Sequence, residues 1–400
     1  MASFTYIILE QGDIDVDAWQ PKWLVNVAAA LEQSNRICHI GLYGVPPSQM
    51  GEILAAMHKP FPVLKYLNLE SEDETVLVEP DLFLGGSASC LEYLQLATIP
   101  FPGLPELLSS ATHLTDLRIK NISRSGYISP EEIVSCFPAL TRLQTLILDF
   151  GSPGSFPIRE HPPRPPPPTP TRTLLPALTS LRFRGVSEYL ERLVAWIDTP
   201  RPLLDTLMVY LFRIFTADTD QLAQFVNCAP KLKAHDDAHV VFHHSTVHLK
   251  LGRVFQKGLR ISCGAKSRQV SSAVQICTSS LDQAFIATLE RLYIYDNFAY
   301  GQEDILTEKN HWLELLRPFT SVKSLYLTQE IVPRIAPALQ ELFGESAVGV
   351  LPALQTLFLE NLNLSGPAQE AIGSYVSGRE FSSHPVTFAL WESNWTDRYM

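Results

Sequence analysis

A six-residue pattern recurs along the chain: apolar, two variable positions, apolar, one variable position, apolar. It stands at Ile37-Ile40-Leu42, Leu64-Leu67-Leu69, Leu91-Leu94-Leu96, Leu114-Leu117-Ile119 and Leu143-Leu146-Leu148. It returns at Leu178-Leu181-Phe183, Leu204-Leu207-Val209, Leu289-Leu292-Ile294, Val322-Leu325-Leu327 and Leu354-Leu357-Leu359. The last two apolar positions of each copy are two apart, so both face the same side of a short strand, and that side is the core. The stretches between copies carry a helical period. Ser129-Pro130-Glu131-Glu132 predicts a capping box with proline at the first helical position, followed by Ile133, Val134 and Phe137. Asp218 and Gln221 open another helix, whose buried stripe is Leu222, Phe225 and Val226.

Strand, helix and parallel strand in repetition predict an α/β fold: an irregular leucine-rich-repeat solenoid, with a parallel sheet on the concave face and helices on the convex face. No single unit buries its own apolar face, so stacked neighbours supply the core. The asparagine or cysteine that this repeat places three residues after the third apolar position occurs once, at Asn297; Val45, Glu72, Ile99 and Ile122 stand in its place elsewhere. Other groups or water must then satisfy the turn backbone.

The expected organisation is an N-terminal capping-helix region over residues 1–35 and a solenoid over 36–400. Residues 1–35 precede the first expected strand. Trp19 to Leu31 reads as an amphipathic helix with Trp23, Val27 and Leu31 on one face. Residues 151–173 contain Pro162-Pro163-Arg164-Pro165-Pro166-Pro167-Pro168 and read as a polyproline loop insertion, neither helix nor strand. Arg159, Pro162 and Pro165, and Pro167, Pro170 and Arg172, have the spacing of an SH3 ligand, but the favoured reading is a tolerated, extended surface insertion. Over residues 230–288 the repeat fades into an irregular, strand-rich stretch. Val240-Val241-Phe242, Thr246 to Leu251 and Leu259-Arg260-Ile261 read as short strands forming a hairpin off the main sheet, and residues 385–391 as a closing strand.

Composition narrows the function. Apolar residues make up 46% of the 400, enough for a large core, and the net charge of −11 is the wrong sign for a nucleic-acid or anionic-membrane surface. No run approaches a spanning helix, and Phe4 to Leu9 is too short for an export signal. The six cysteines (Cys38, Cys90, Cys136, Cys228, Cys263, Cys277) form no CxxC pair and read as reduced, mostly buried thiols. Without an export signal the sequons at Asn121, Asn363 and Asn394 read as chance, and the expected compartment is cytoplasmic or nuclear.

Candidate chemistry is thin. His235, His239 and His243 are four apart and would align on a helix, but Val240, Val241, Thr246 and Val247 around them favour strands, which do not gather the three rings. The chain has no GxSxG, GxxxxGK[ST], GxGxxG or HExxH, and Glu70-Ser71-Glu72-Asp73-Glu74 lacks the spacing of a calcium loop. The expectation is no catalytic residue, no metal and no cofactor.

The variable strand positions carry more. By alternation they place Tyr43, Tyr66, Asn68, Tyr93, Gln95, Asp116, Arg118, Arg182, Arg184, Tyr210, Arg291, Tyr293, Tyr295, Tyr326 and Phe358 on the open, concave face. Seven of the chain's 13 tyrosines fall there. Tyrosine favours strands, which accounts for part of this, but Tyr and Arg also dominate protein-binding hot spots.

The segments Gly185 to Glu191, Gln221 to Phe225, Pro230 to Asp236, Ser125 to Glu131 and Leu289 to Tyr295, with the polyproline loop, resemble the F-box-associated leucine-rich-repeat proteins of mushroom-forming fungi. The resemblance runs from about residue 20 to the end. It implies a non-enzymatic, protein-binding repeat module that recruits the substrate of a cullin-based ubiquitin ligase. The F-box that docks on the ligase adaptor has no counterpart in the first 35 residues, where a Leu-Pro, acidic, apolar helical start is expected. The alternatives are a stand-alone repeat scaffold or inhibitor unrelated to ubiquitin, and an enzyme with convergent groups hidden in an irregular solenoid. The expected partner is a protein, with a ligase adaptor only if an F-box lies upstream, and neither nucleic acid nor membrane.

Overall fold

The structure, a computed structural model, describes residues 5–9, 21–73, 83–157, 172–198, 203–212, 220–252, 257–264, 269–296, 309–341, 349–360, 366–381 and 384–392. Asn297, Asp218, Asn363, Asn394, Trp19 and the proline run at 162–168 lie outside these residues. The fold is mixed α/β, built on an open, mostly parallel sheet. By its internal contacts the chain divides into two compact units, Met1–Leu204 and Asp205–Met400.

In the first unit the order is β1 (Thr5–Leu9), α1 (Pro21–Leu31), β2 (Ile37–Val45), α2 (Pro47–Ala56), β3 (Tyr66–Ser71), β4 (Tyr93–Ala97), α3 (Leu104–Leu108), β5 (Asp116–Ile122), α4 (Pro130–Ser135), β6 (Thr145–Phe150), β7 (Thr173–Leu174), β8 (Ser180–Gly185), α5 (Ser187–Ala195) and β9 (Ile197–Asp198). Strands β1 to β6 and β8 pair in chain order, every pair parallel. The second apolar position of each copy aligns across the sheet as Ile40, Leu67, Leu94, Leu117, Leu146 and Leu181. All six are fully buried.

In the second unit the order is β10 (Thr206–Leu211), α6 (Asp220–Asn227), β11 (Asp237–His243), β12 (Thr246–Leu251), β13 (Gly258–Gly264), α7 (Gln269–Ser279), α8 (Gln283–Ile286), β14 (Arg291–Asp296), α9 (Lys309–Leu316), β15 (Ser324–Leu327), α10 (Val332–Gln340), β16 (Thr356–Leu359), α11 (Pro367–Phe381) and β17 (Thr387–Leu390). The strands lie in the order β10, β13, β12, β11, β14, β15, β16, β17.

The frame has a recurring entry turn. The N–H of its first apolar residue donates to the carbonyl three residues earlier: Leu64 to Phe61, Leu91 to Ala88, Leu114 to Ala111, Leu143 to Leu140 and Leu178 to Leu175. In the second unit Leu289, Val322 and Leu354 do the same to Ile286, Phe319 and Leu351. The accepting residues are apolar and buried, so the motif reaches three residues further back than the six-residue pattern. Just after each turn one carbonyl of the preceding strand accepts two successive N–H groups: Lys65 from Glu92 and Tyr93 at 2.8 and 2.9 Å, Glu92 from Thr115 and Asp116 at 2.8 and 3.2 Å, and Thr115 from Gln144 and Thr145 at 2.8 and 3.0 Å.

Three expectations change. The stretch 1–35 does not merely precede the first strand: β1 pairs in parallel with β2, and Ile7 aligns with Ile40 inside the core. The strands of residues 237–264 are not a hairpin off the main sheet but part of it. The two residues between β11 and β12 reverse the chain, β12 is antiparallel to both β11 and β13, and the two reversals cancel. β13 therefore runs parallel to β10, and β11 parallel to β14. Within the stretch 151–173, residues 153–155 form a single 3-10 turn and Thr173 begins β7, which pairs with β9.

The capping box forms as the spacing predicts. The Ser129 hydroxyl accepts from the Glu132 N–H at 3.2 Å, and the Glu132 carboxylate accepts from the Ser129 N–H at 2.8 Å. Where the expected asparagine is missing, the Val45 carbonyl accepts both the Ser71 hydroxyl and the Glu72 N–H. All six cysteines are free thiols, but only Cys136, Cys263 and Cys277 are buried; Cys90 is exposed. Among the described residues no helix is long and apolar enough to cross a membrane.

Candidate functional site: two aromatic stacks on the sheet

Alternation sends one side chain in two away from the apolar core, and parallel register lines those side chains up across the strands. In the first unit one such row runs Tyr6, His39, Tyr66, Tyr93, Asp116. His39 and Tyr66 stack with ring centroids 3.9 Å apart at 6°, and Tyr66 and Tyr93 at 4.3 Å and 9°. The Arg118 guanidinium lies 5.1 Å from the Tyr93 ring centroid and is held by Asp116 at 3.1 Å. Burial keeps the His39 imidazole below the usual histidine range and pushes the Tyr93 hydroxyl up to about 12, so both are neutral at pH 7. The Tyr93 hydroxyl donates to Gln95 Oε1 at 3.0 Å.

One row further on stand Gly41, Asn68, Gln95, Arg118, Ile147 and Arg182. A Cβ on Gly41 would meet the Tyr43 ring at 3.3 Å, so that ring lies over the glycine, and its hydroxyl comes within 3.5 Å of that of Tyr66. Asn68 and Gln95, expected on the open face, are only 3% and 4% exposed, because the tyrosines beside them close over short amides. Asn68 Oδ1 has no hydrogen-bond partner among the described residues. An orphaned buried carbonyl of this kind costs about 1–3 kcal/mol. Beyond the stack the same face turns cationic, with Lys120 half-buried, Arg182 exposed and Arg184 3.8 Å from Asp149.

In the second unit the corresponding row is Arg260, Lys250, His239, Tyr293, Tyr326, Phe358 and Ala389. His239 and Tyr293 stack at 4.5 Å, Tyr293 and Tyr326 at 4.1 Å, and Tyr326 and Phe358 at 4.3 Å. This stack is covered. The Trp391 indole stands edge-on to Tyr293, Tyr295 and Tyr326 at 6.0, 6.0 and 5.4 Å, at angles of 65–76°. Tyr293 and Tyr295, expected on an open face, are therefore 5% and 1% exposed. Tyr295 is tied down further: its hydroxyl lies 3.2 Å from His239 Nδ1, and His239 Nε2 lies 3.4 Å from Asp237. Arg291 pairs with Asp236 at 2.5 Å at the entry of β14, outside the stack, and Tyr210 is half-buried, 6.2 Å from Phe212.

Of the fifteen candidate residues, the structure gathers Tyr43, Tyr66, Asn68, Tyr93, Gln95, Asp116 and Arg118 around one stack, and Tyr293, Tyr295, Tyr326 and Phe358 around the other. Alternation also puts His39 on this face; the sequence reading missed His239 as a stack member and Trp391 as a cover. Trp391 was reachable by alternation, since it follows Thr387 and Ala389 at a period of two. His239 was read only against metal chemistry. It sits on a strand with His243, whose ring meets that of His248 at 4.7 Å, and among the described residues no three potential ligands converge.

No protein-family model matches the chain, and neither does any curated protein.

Proposed function

We propose that the chain is a leucine-rich-repeat-like solenoid that binds a protein through the strand-borne side chains of its first unit. The observation that carries this is the row His39, Tyr66, Tyr93 and Arg118 on the side of the sheet away from the apolar core. Supporting the repeat reading are the recurring entry turn, present in eight copies, and the paired backbone bonds to one carbonyl at each step, which repeat the same local geometry despite irregular spacing. Rings fixed by stacking lose little conformational freedom on binding, which is why tyrosine and arginine anchor interfaces at low entropic cost. The reading is non-enzymatic and intracellular, and needs no metal or cofactor. Substrate recruitment for a ubiquitin ligase rests on the fungal F-box resemblance alone; a scaffold or inhibitor uses the same surface.

The test is a quantitative pull-down from a fungal lysate with the intact chain, the Tyr66→Ala/Tyr93→Ala variant, and Arg192→Ala on α5 as control. Proteins captured by the intact chain and the control but lost with the double variant support the reading. Equal capture by all three, with the double variant still folded, removes this surface from it. Adaptor or cullin peptides in the lost set would favour the ligase role over the scaffold.

A further inference from the structure

The two units carry the same arrangement in different states. Each has a histidine and two tyrosines stacked face to face on three neighbouring strands: His39, Tyr66 and Tyr93 in the first, His239, Tyr293 and Tyr326 in the second. Stacking uses up the ring faces and leaves the ring edges, with their hydroxyls, toward whatever covers the row. In the second unit that cover is Trp391, an indole standing across the tyrosines with its Nε1 donating to the Leu327 carbonyl at 3.4 Å. In the first unit no ring among the described residues stands edge-on to Tyr66 and Tyr93. There the polar atom next to the stack, Asn68 Oδ1, is buried and unpartnered. An indole placed as in the second unit would bring the edge-on ring that this row lacks.

Charge specifies what flanks that ring. The strands after the stack present Arg118, Lys120, Arg182 and Arg184 on the same face, against Asp116 and Asp149 and against Glu70, which aligns through Ala97 with Lys120. This cationic excess stands in a chain of net charge −11. Asp116 and Asp149 face Arg118 and Arg184, but exposed Arg182 has no carboxylate partner among the described residues. Carboxylates arriving next to the stack would therefore find an unspent guanidinium, whereas a basic segment would be repelled.

We infer that the open face of the first unit docks an acidic peptide segment anchored by a tryptophan side chain. The indole stands across Tyr66 and Tyr93, and the flanking carboxylates meet Arg182 and its cationic neighbours. This deepens the protein-binding reading above and depends on it.

The probe is a fluorescein-labelled peptide of alternating glutamate and tryptophan, titrated against the full 400-residue chain by fluorescence anisotropy at low salt. Saturable binding is expected, and it should weaken at least tenfold when tryptophan is replaced by alanine or glutamate by lysine in the peptide. Arg182→Glu/Arg184→Glu and Tyr66→Ala should each weaken it tenfold or more. Lys59→Glu/Arg192→Glu, which makes the same charge change on helix-side pairs, should leave it within twofold. Equal binding of the lysine–tryptophan peptide, retention by the Arg182/Arg184 variant, or equal loss in the matched variant overturns the inference. Absence of binding while the pull-down still gives tyrosine-dependent capture removes the acidic-tryptophan chemistry and spares the surface; failure of both removes the surface. Near-UV circular dichroism on every variant separates lost binding from lost fold.

Discussion

Trp391 stands edge-on to Tyr326, their ring centroids 5.4 Å apart at 76°, and it is the contact that turns an open row of tyrosines into a buried one. Trp391 directly follows β17; its backbone N–H donates to the Leu359 carbonyl and its indole Nε1 to the Leu327 carbonyl. Replacing it with alanine removes three edge-to-face ring contacts while leaving β17 paired. Trp391→Ala should lower unfolding stability by about 2 kcal/mol, less than a fully buried tryptophan because the residue is partly solvent-exposed. Urea denaturation checks this, and the variant should show increased tyrosine accessibility to iodination at Tyr293 and Tyr326. An unchanged midpoint would mean the indole packs against nothing that matters.

His248 gives a pH signature. Burial first, then the charges of Arg260 and His243, depress its pKa from 6.5 to about 3, and its Nδ1 pairs with the Ser262 hydroxyl. The folded protein thus refuses a proton that the unfolded chain accepts below pH 6.5. Stability from this group is fully present above pH 6.5 and falls as pH drops toward 3, by at most about 1.4 kcal/mol per pH unit. Stability of the wild type and of His248→Gln, measured between pH 7 and 4.5, should converge as pH falls. Parallel curves would show that His248 titrates normally.

The regular half of this fold is visible in the chain because Leu67, Leu94, Leu117 and Leu146 occupy one register and nothing competes with their period. The same alternation puts Tyr66, Tyr93, Tyr326 and Phe358 on the side of the strands away from the leucines, where they stack. It could not see depth. Whether Tyr295 or Asn68 reaches solvent depends on Trp391 and Tyr43 folding over them, contacts between residues far apart or across a turn. β1 escaped because Thr5–Leu9 lacks the leucine frame; β12 is legible as a strand over Thr246 to Leu251, but not its place in the main sheet, because an antiparallel strand has no place in a parallel repeat.

Arg379 is completely buried in α11, where its guanidinium donates to the Pro352 and Leu354 carbonyls, each at 3.2 Å. It pins the entry turn of β16 to the helix. Arg379→Leu keeps most of the volume but orphans both carbonyls, and should cost about 2–4 kcal/mol. Thermal unfolding reads the loss. Neutral or improved stability would show that the cost of burying the charge cancels its bonds.

The capping box on α4 offers a smaller, local effect. Ser129→Ala removes the acceptor for the Glu132 N–H and should destabilise by about 1 kcal/mol, with Ser129→Asp recovering most of it. The denaturant midpoint of the two variants measures this, and equal losses would argue against capping.

The central claim is that the sheet face of the first unit, and not the helical side, meets a protein partner. A photo-crosslinking amino acid placed at Arg182 on that face, and separately at Glu131 on α4, tests it in intact cells that express the chain. Both positions lie near the surface, so labelling efficiency is comparable. A discrete crosslinked protein from position 182 alone, lost when Tyr66 and Tyr93 are also changed to alanine, is the predicted result. Crosslinks from position 131 alone, or the same products from both positions, would contradict it.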